Sequence, residues 1–133
     1  MLTIPQKILV AIAAVFYIGA GSLHFLKPAM YEKIVPPYVP WHLAMVYVSG
    51  AAEVLGGLGL LIPRVRRGAA LGLVALLIAV FPANVYMATN PVEAGASALP
   101  AAALWGRLVL QPIFIWWVLW ATKPRLTPAR PGG

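Results

Sequence analysis

Apolar residues run almost unbroken through four stretches of the chain, and the polar positions at their ends and within them mark out the elements. The first stretch, Pro5 to Leu26, is interrupted at Lys7, Tyr17, Ser22 and His24. The second runs from His42 to Ile62 and stops at Pro63, and the third, Gly68 to Thr89, holds Pro82 and Asn84. The fourth, Leu104 to Thr122, is polar at Arg107 and Gln111 and carries rings at Trp116, Trp117 and Trp120. At a rise of about 1.5 Å per residue, helices of these lengths cross a hydrocarbon core of roughly 30 Å. A proline inside the third helix frees a carbonyl one turn earlier, which a neighbouring side chain is expected to satisfy.

The connections are of three kinds. Lys27 to Trp41 contains Pro28, Pro36, Pro37 and Pro40, which break any continuous helix, and Tyr31, Tyr38 and Trp41, whose rings suit a membrane interface. We expect an ordered cap on the bilayer surface. Asn90 to Ala103 is a loop of small residues carrying Glu93, and Lys123 to Gly133 reads as a basic, disordered tail. The pattern predicts an all-α integral membrane four-helix bundle, up-down-up-down, over residues 1–122, followed by the tail at 123–133. Small residues at Ala52 and Gly56, and at Gly68 and Gly72, are expected to let backbones approach.

Composition agrees with this reading. The chain is 62% hydrophobic and 10% charged, with mean hydropathy +0.86, whereas charged residues make up about a quarter of a soluble domain. The first apolar run is too long for a signal-peptide core of about 7–15 residues and lacks a small-residue cleavage site, so the first span is expected to be retained. Cysteine is absent, which removes thiolate nucleophiles, disulfides, cysteine-ligated zinc and iron–sulfur clusters together. A net charge of +7 does not point to nucleic acid, because the basic residues sit in short clusters beside the spans. With both termini inside, Lys7, Arg64, Arg66, Arg67, Lys123, Arg125 and Arg130 are cytoplasmic, seven basic residues against three (Lys27, Lys33, Arg107) outside. The positive-inside bias therefore predicts cytoplasmic termini and a multi-pass protein of the inner or plasma membrane.

One carboxylate organises the chemistry. Glu53 lies near the middle of the second span, where an ionisable group is costly and ordinarily faces a partner or a cavity. Measured from the outer ends of the spans at the same helical rise, Glu53 is about 16 Å deep, Tyr17 about 13 Å, Ser49 and Gln111 about 10 Å, Asn84 about 7 Å, Arg107 about 4 Å and His24 about 3 Å. Ser49 and Glu53 are one helical turn apart, as are Arg107 and Gln111, while Tyr17 and His24 are two turns apart. Each span thus contributes to one polar layer in the outer half, and the inner halves are almost wholly apolar. Such a layer is either a dry knot that fixes helix register or a pocket opening outward under the cap.

Glu53 is expected within hydrogen-bonding reach of Tyr17, Asn84 or Gln111, since a lone buried carboxylate is costly. It serves either as a protonated structural carboxyl or as a group that binds a ligand, an ion or a proton. Asn84 and Gln111 suit interhelical bonding, Arg107 is near enough to the surface to reach head groups, and the tryptophans suit an interfacial belt or packing. His24 and His42 present one imidazole each without a two-histidine motif or a third ligand, so neither a metal site nor haem is expected.

The segment Ser49-Gly-Ala-Ala-Glu-Val-Leu-Gly-Gly-Leu-Gly-Leu-Leu-Ile-Pro-Arg64, with Gly19-Ala-Gly-Ser-Leu-His-Phe25 before it and Ala79-Val-Phe-Pro-Ala-Asn-Val-Tyr-Met87 after it, resembles the DoxX family of small four-helix membrane proteins. The resemblance spans about residues 8–122 and rests on a glycine-flanked glutamate followed by a basic turn. It implies a role for Glu53, with His24 and Asn84 as family-like positions, and membership in a group that includes a subunit of a quinone-linked oxidoreductase, a partner in an oxidative-stress assembly and helpers of receptor assembly. Three functions are therefore expected to compete. The first is an accessory or binding protein that holds a quinone, lipid or other amphiphile and joins a membrane protein partner or a second copy of itself. The second is a quinone-linked oxidoreductase subunit using Glu53 for proton relay, and the third is a small transporter of an amphiphile or proton-coupled solute. No flavin, metal or thiol motif is evident, so the chain is not expected to be an enzyme on its own.

Overall fold

Thr3 and Gln6 set where the first helix begins. In the computed structural model, which describes residues 2–124, the Thr3 hydroxyl accepts from the Gln6 backbone N–H and the Gln6 side chain accepts from the Thr3 backbone N–H at 2.9 Å, a reciprocal capping box. The helices are α1 (Ile4–Leu26), α2 (Pro28–Glu32), α3 (His42–Leu61), α4 (Arg66–Thr89) and α5 (Ala101–Ala121). Among the described residues the structure is all-helical, and α1, α3, α4 and α5 are each long and apolar enough to cross a membrane. Their outer faces carry exposed Ile12, Val15, Leu55, Ile78, Val109 and Ile113, a surface that water penalises and lipid does not.

The tightest packing joins α1 to α3. A Cβ built on Gly21 would lie 2.7 Å from the Gly50 carbonyl oxygen, and one on Gly50 would lie 2.9 Å from the Gly21 oxygen. Further along, a Cβ on Gly57 would come within 3.0 Å of the Ala14 oxygen. Only glycine permits such backbone approach. Between α3 and α4, Gly56 lies under Leu73 and Gly59 under Ala69. Gly68 and Gly72 behave otherwise than expected: a Cβ at either meets nothing within 4 Å, so they open onto the outer surface and close no helix pair. Their place in the small-xxx-small spacing was right, but the rotation of α4 turns that face outward.

Two apolar clusters hold the ends. Val10, Ala14, Tyr17, Leu60, Leu73 and Val118 belong to the larger, which draws on all four long helices, and Trp117 and Trp120 pack against it. Trp116 remains largely exposed and stacks on Trp120 with centroids 6.0 Å apart. The smaller cluster, with Met87, Ala88 and Leu104, sits beneath the loop at Ala94 and Ala96, and Ile34 from the cap packs against it.

Element ends differ from expectation by a few residues. α4 starts at Arg66, two residues before Gly68, and α5 starts at Ala101, three before Leu104. Arg66 and Arg67 are consequently helical. Arg66 Nε donates to the Leu60 carbonyl at 2.7 Å, and Arg67 donates to the Leu119 carbonyl and the Thr122 hydroxyl, each at 3.2 Å. Gln6 Nε2 donates to the carbonyls of Trp120 and Lys123 at 3.1 and 3.0 Å, which brings the start of α1, the α3–α4 turn and the end of α5 to one end of the bundle. The expected cap contains the short helix α2, begun by Pro28, and then turns to Trp41, whose positive φ of 53° is a strained lead into α3. Beyond Pro124 the expected tail lies outside the described residues.

These contacts separate two kinds of glycine. Gly21→Ala and Gly50→Ala should each destabilise the folded protein by about 1–3 kcal/mol through forced separation of α1 and α3. Gly68→Ala and Gly72→Ala should cost nothing, or add a few tenths through helix propensity. Reversible unfolding in mixed micelles measures all four; equal effects would contradict the packing.

Candidate functional site: a polar cavity between the spans

Tyr17, His24, Ser49, Glu53, Asn84, Arg107 and Gln111 all line one cavity of about 270 Å³ between the helices. The reason is local in each case. Tyr17, Ala20 and His24 fall on one stripe of α1, and Ser49 and Glu53 on one stripe of α3, held against it by the Gly21–Gly50 approach. Asn84 comes from α4, and Arg107 and Gln111 from α5. Tyr31, Ile34 and Val35 of the cap segment complete the wall, and Leu77, Leu110 and Phe114 supply apolar surface.

Two polar groupings divide the cavity. On the α4–α5 side, Asn84 Nδ2 donates to Gln111 Oε1 at 2.8 Å, Gln111 Nε2 donates to the Leu77 carbonyl, and an Arg107 nitrogen donates to Asn84 Oδ1 at 3.4 Å. Pro82 has no backbone N–H to give the Ile78 carbonyl four residues earlier, and Gln111 bonds to Leu77, one residue away from the carbonyl the sequence pointed to. Pro112, which the sequence reading did not weigh, lies inside α5 beside Gln111.

On the α1–α3 side, His24 Nδ1 lies 3.3 Å from Glu53 Oε2. The same nitrogen faces the Ala20 carbonyl at 2.9 Å, so by inference it carries the proton and leaves Nε2 as the bare ring nitrogen of the neutral form. Its N–H points along the helix to Ala20, and Glu53 Oε2 is left buried without a hydrogen bond. The expectation that Glu53 bonds to Tyr17, Asn84 or Gln111 is therefore corrected. Asn84 and Gln111 are occupied with each other and with α4, while Glu53 on α3 faces α1. The Tyr17 hydroxyl is also buried and without a partner, on a residue only 2% exposed.

Tyr31 covers this half of the cavity. Its ring stacks on His24 with centroids 3.9 Å apart and planes 17° from parallel. Burial raises the phenol above its ordinary value, Glu53 adds to the rise and Arg107 opposes it, so Tyr31 keeps its proton at neutral pH. In the sequence Tyr31 reads as an interfacial ring only, because its offset of seven residues from His24 across a helix break gives no sign of stacking. Gln6 was likewise missed as a buried polar group, although Thr3-x-x-Gln6 is a legible capping signal. His42 is the first residue of α3 and does not line the cavity. Among the described residues no three of His, Asp and Glu gather closely enough to hold a metal ion.

The spans and this cavity define a multi-pass helical membrane protein with a polar chamber among its helices. A family profile described as a domain of unknown function (DUF8561) matches residues 13–122, and the chain belongs to that family. No curated protein and no solved structure matches it.

The Gln111 contacts give a direct check. Gln111→Leu removes the acceptor of Asn84 and the donor to Leu77 together, and should destabilise the fold by about 1–2 kcal/mol, the range for interhelical bonds in membranes plus an unpaired amide. Asn84→Leu added to it should cost less than the sum of the two single changes. Additive effects in a double-mutant cycle would deny the bond.

Proposed function

We propose that this protein is a binding and accessory subunit of the cell membrane, whose cavity around Glu53 takes the polar head of a small amphiphile. The observation that carries this reading is that two of the three buried, partnerless side-chain polar atoms among the described residues, Glu53 Oε2 and the Tyr17 hydroxyl, lie on the wall of one chamber, the third being Trp117 Nε1 outside it. A dry knot fixing helix register would be expected to pair such groups, as Asn84 and Gln111 are paired, because each unpaired group costs about 1–3 kcal/mol. A ligand that supplies the missing partners removes that cost. The likeness to the DoxX family supports an accessory role in a membrane redox or stress-response assembly, with a membrane protein or a second copy as partner. A quinone head fits the chemistry of the wall, which offers hydrogen-bond donors at Tyr17, at Arg107 and, in its protonated form, at Glu53.

The bundle is proposed to run up-down-up-down with both termini in the cytoplasm. Contacts that pair Gly21 with Gly50 and Ala14 with Gly57, Gly56 with Leu73 and Gly59 with Ala69, support antiparallel neighbours, and the basic-residue count supports the orientation. The cavity then lies toward the outer side, beneath the cap. A second reading, a subunit that relays protons to a quinone, is favoured by the 3.3 Å approach of His24 to Glu53 with Tyr17 on the same wall.

Native mass spectrometry of the protein purified from its membranes tests the binding reading. An amphiphile of defined mass should accompany the wild type and be lost from Glu53→Gln combined with Tyr17→Phe, while helical content is unchanged. An empty wild-type protein, or equal retention by the double variant, would overturn it. Reporter fusions after Gly133 and within Asn90 to Ala103 should report opposite sides of the membrane; the same side for both would overturn the topology.

A further inference from the structure

The chamber is too small for a whole membrane lipid. Its 270 Å³ lies just below the range of about 300–1,000 Å³ that encloses a drug-sized molecule, so a ligand with a long apolar chain must leave that chain outside. Where the chain leaves is decided by which helix pairs are sealed. Glycine backbone contacts seal α1 to α3, and the Asn84, Gln111 and Leu77 bonds seal α4 to α5. Between α3 and α4 the inner half is closed by Gly56 under Leu73, and on the outer side Ile34 of the cap lines the cavity and packs against the cluster that holds Met87.

The seam between α1 and α5 is different. Its inner half is closed by the Gln6 bonds to Trp120 and Lys123 and ends at the stacked pair Phe16 and Phe114, 5.7 Å between centroids. Beyond that pair, among the described residues, no hydrogen bond or ring contact joins the two helices. There the facing positions are Ala20 on α1 and Leu110 on α5, one turn outward of Phe16 and Phe114, and both line the cavity. Phe16 and Leu110 are 47% and 45% exposed while lining it, so the same side chains touch chamber and exterior.

We propose that the chamber is loaded sideways from the bilayer, through this outer seam between α1 and α5, by an amphiphile whose head carries hydrogen-bond-accepting oxygens and whose tail stays in the seam over Phe16 and Phe114. The proposal rests on the binding reading above and adds the route and the ligand class. The head meets the Tyr17 hydroxyl and the Arg107 guanidinium, whose only partners among the described residues are Asn84 and the Met87 sulfur at 3.4 and 3.9 Å. The small Ala20 leaves the gap, and the two rings form its sill.

The test uses the full chain in phosphatidylcholine vesicles with two probes, a decyl-chain benzoquinone and a phosphatidic acid, each carrying a photoactivatable diazirine in its tail. Saturable labelling by either should fall on α1 and α5 around Phe16, Ala20, Leu110 and Phe114, and which probe labels identifies the source of the oxygens. Ala20→Trp, and separately Leu110→Trp on the opposite wall, should reduce that labelling about tenfold, a loss of one power of ten in affinity. Gly72→Trp, directed into open space, should label as the wild type does. Saturable labelling concentrated on the cap at 27–41, or undiminished by both tryptophan variants, would overturn the seam and leave the binding reading standing. Absence of saturable labelling by both probes would overturn the seam and the binding reading together.

Discussion

Everything at the site depends on how closely α1 can lie against α3. The carbonyl oxygens of Gly21 and Gly50 occupy the space a side chain would need, and Gly57 rests on the backbone at Ala14. In a bilayer no hydrophobic force drives helices together, so close van der Waals contact over a smooth face is a main source of association. That contact fixes the rotation of both helices. It sends Tyr17 and His24 from one, and Ser49 and Glu53 from the other, to the same side, because these residues lie on the stripes next to the glycines.

The other half of the bundle is joined by different means. Between α4 and α5 the contact is polar, a short ladder from Arg107 through Asn84 and Gln111 to the Leu77 carbonyl. The amide donors of Asn84 and Gln111 are used within it, and Glu53 is left to the α1–α3 side. The chamber is thus the space between a backbone-packed pair and a hydrogen-bonded pair, and its unpaired groups all belong to the former. A cap held by Tyr31 on His24 covers it at one end.

The helices, the interrupted cap and the seven polar residues around the chamber were legible in the sequence because they depend on length, on proline and on helical period, all of which one chain displays. Partnerships were not. Glu53 and Asn84 line one chamber with several other polar groups, and a rotation of one helix by a fraction of a turn decides which of them bond. The same rotation explains Gly68 and Gly72, whose spacing is that of a packing motif but whose face looks outward. Gln6 was overlooked for another reason: a glutamine near a helix start reads as surface, and only the return of α5 beside it buries the amide.

The nearness of His24 to Glu53 bears on how the protein is made. Chains emerge from the ribosome N-terminus first, so α1 and α3 reach the membrane ahead of α4 and α5. A carboxyl on a newly inserted helix would at that stage look straight into acyl chains. Because its nearest polar neighbour sits on the helix that precedes it, and the glycine face brings the two together, the first hairpin already shelters its own acid. The second hairpin then arrives at a nascent half-chamber rather than at an exposed charge, and the order of synthesis matches the order in which the acid's surroundings are built.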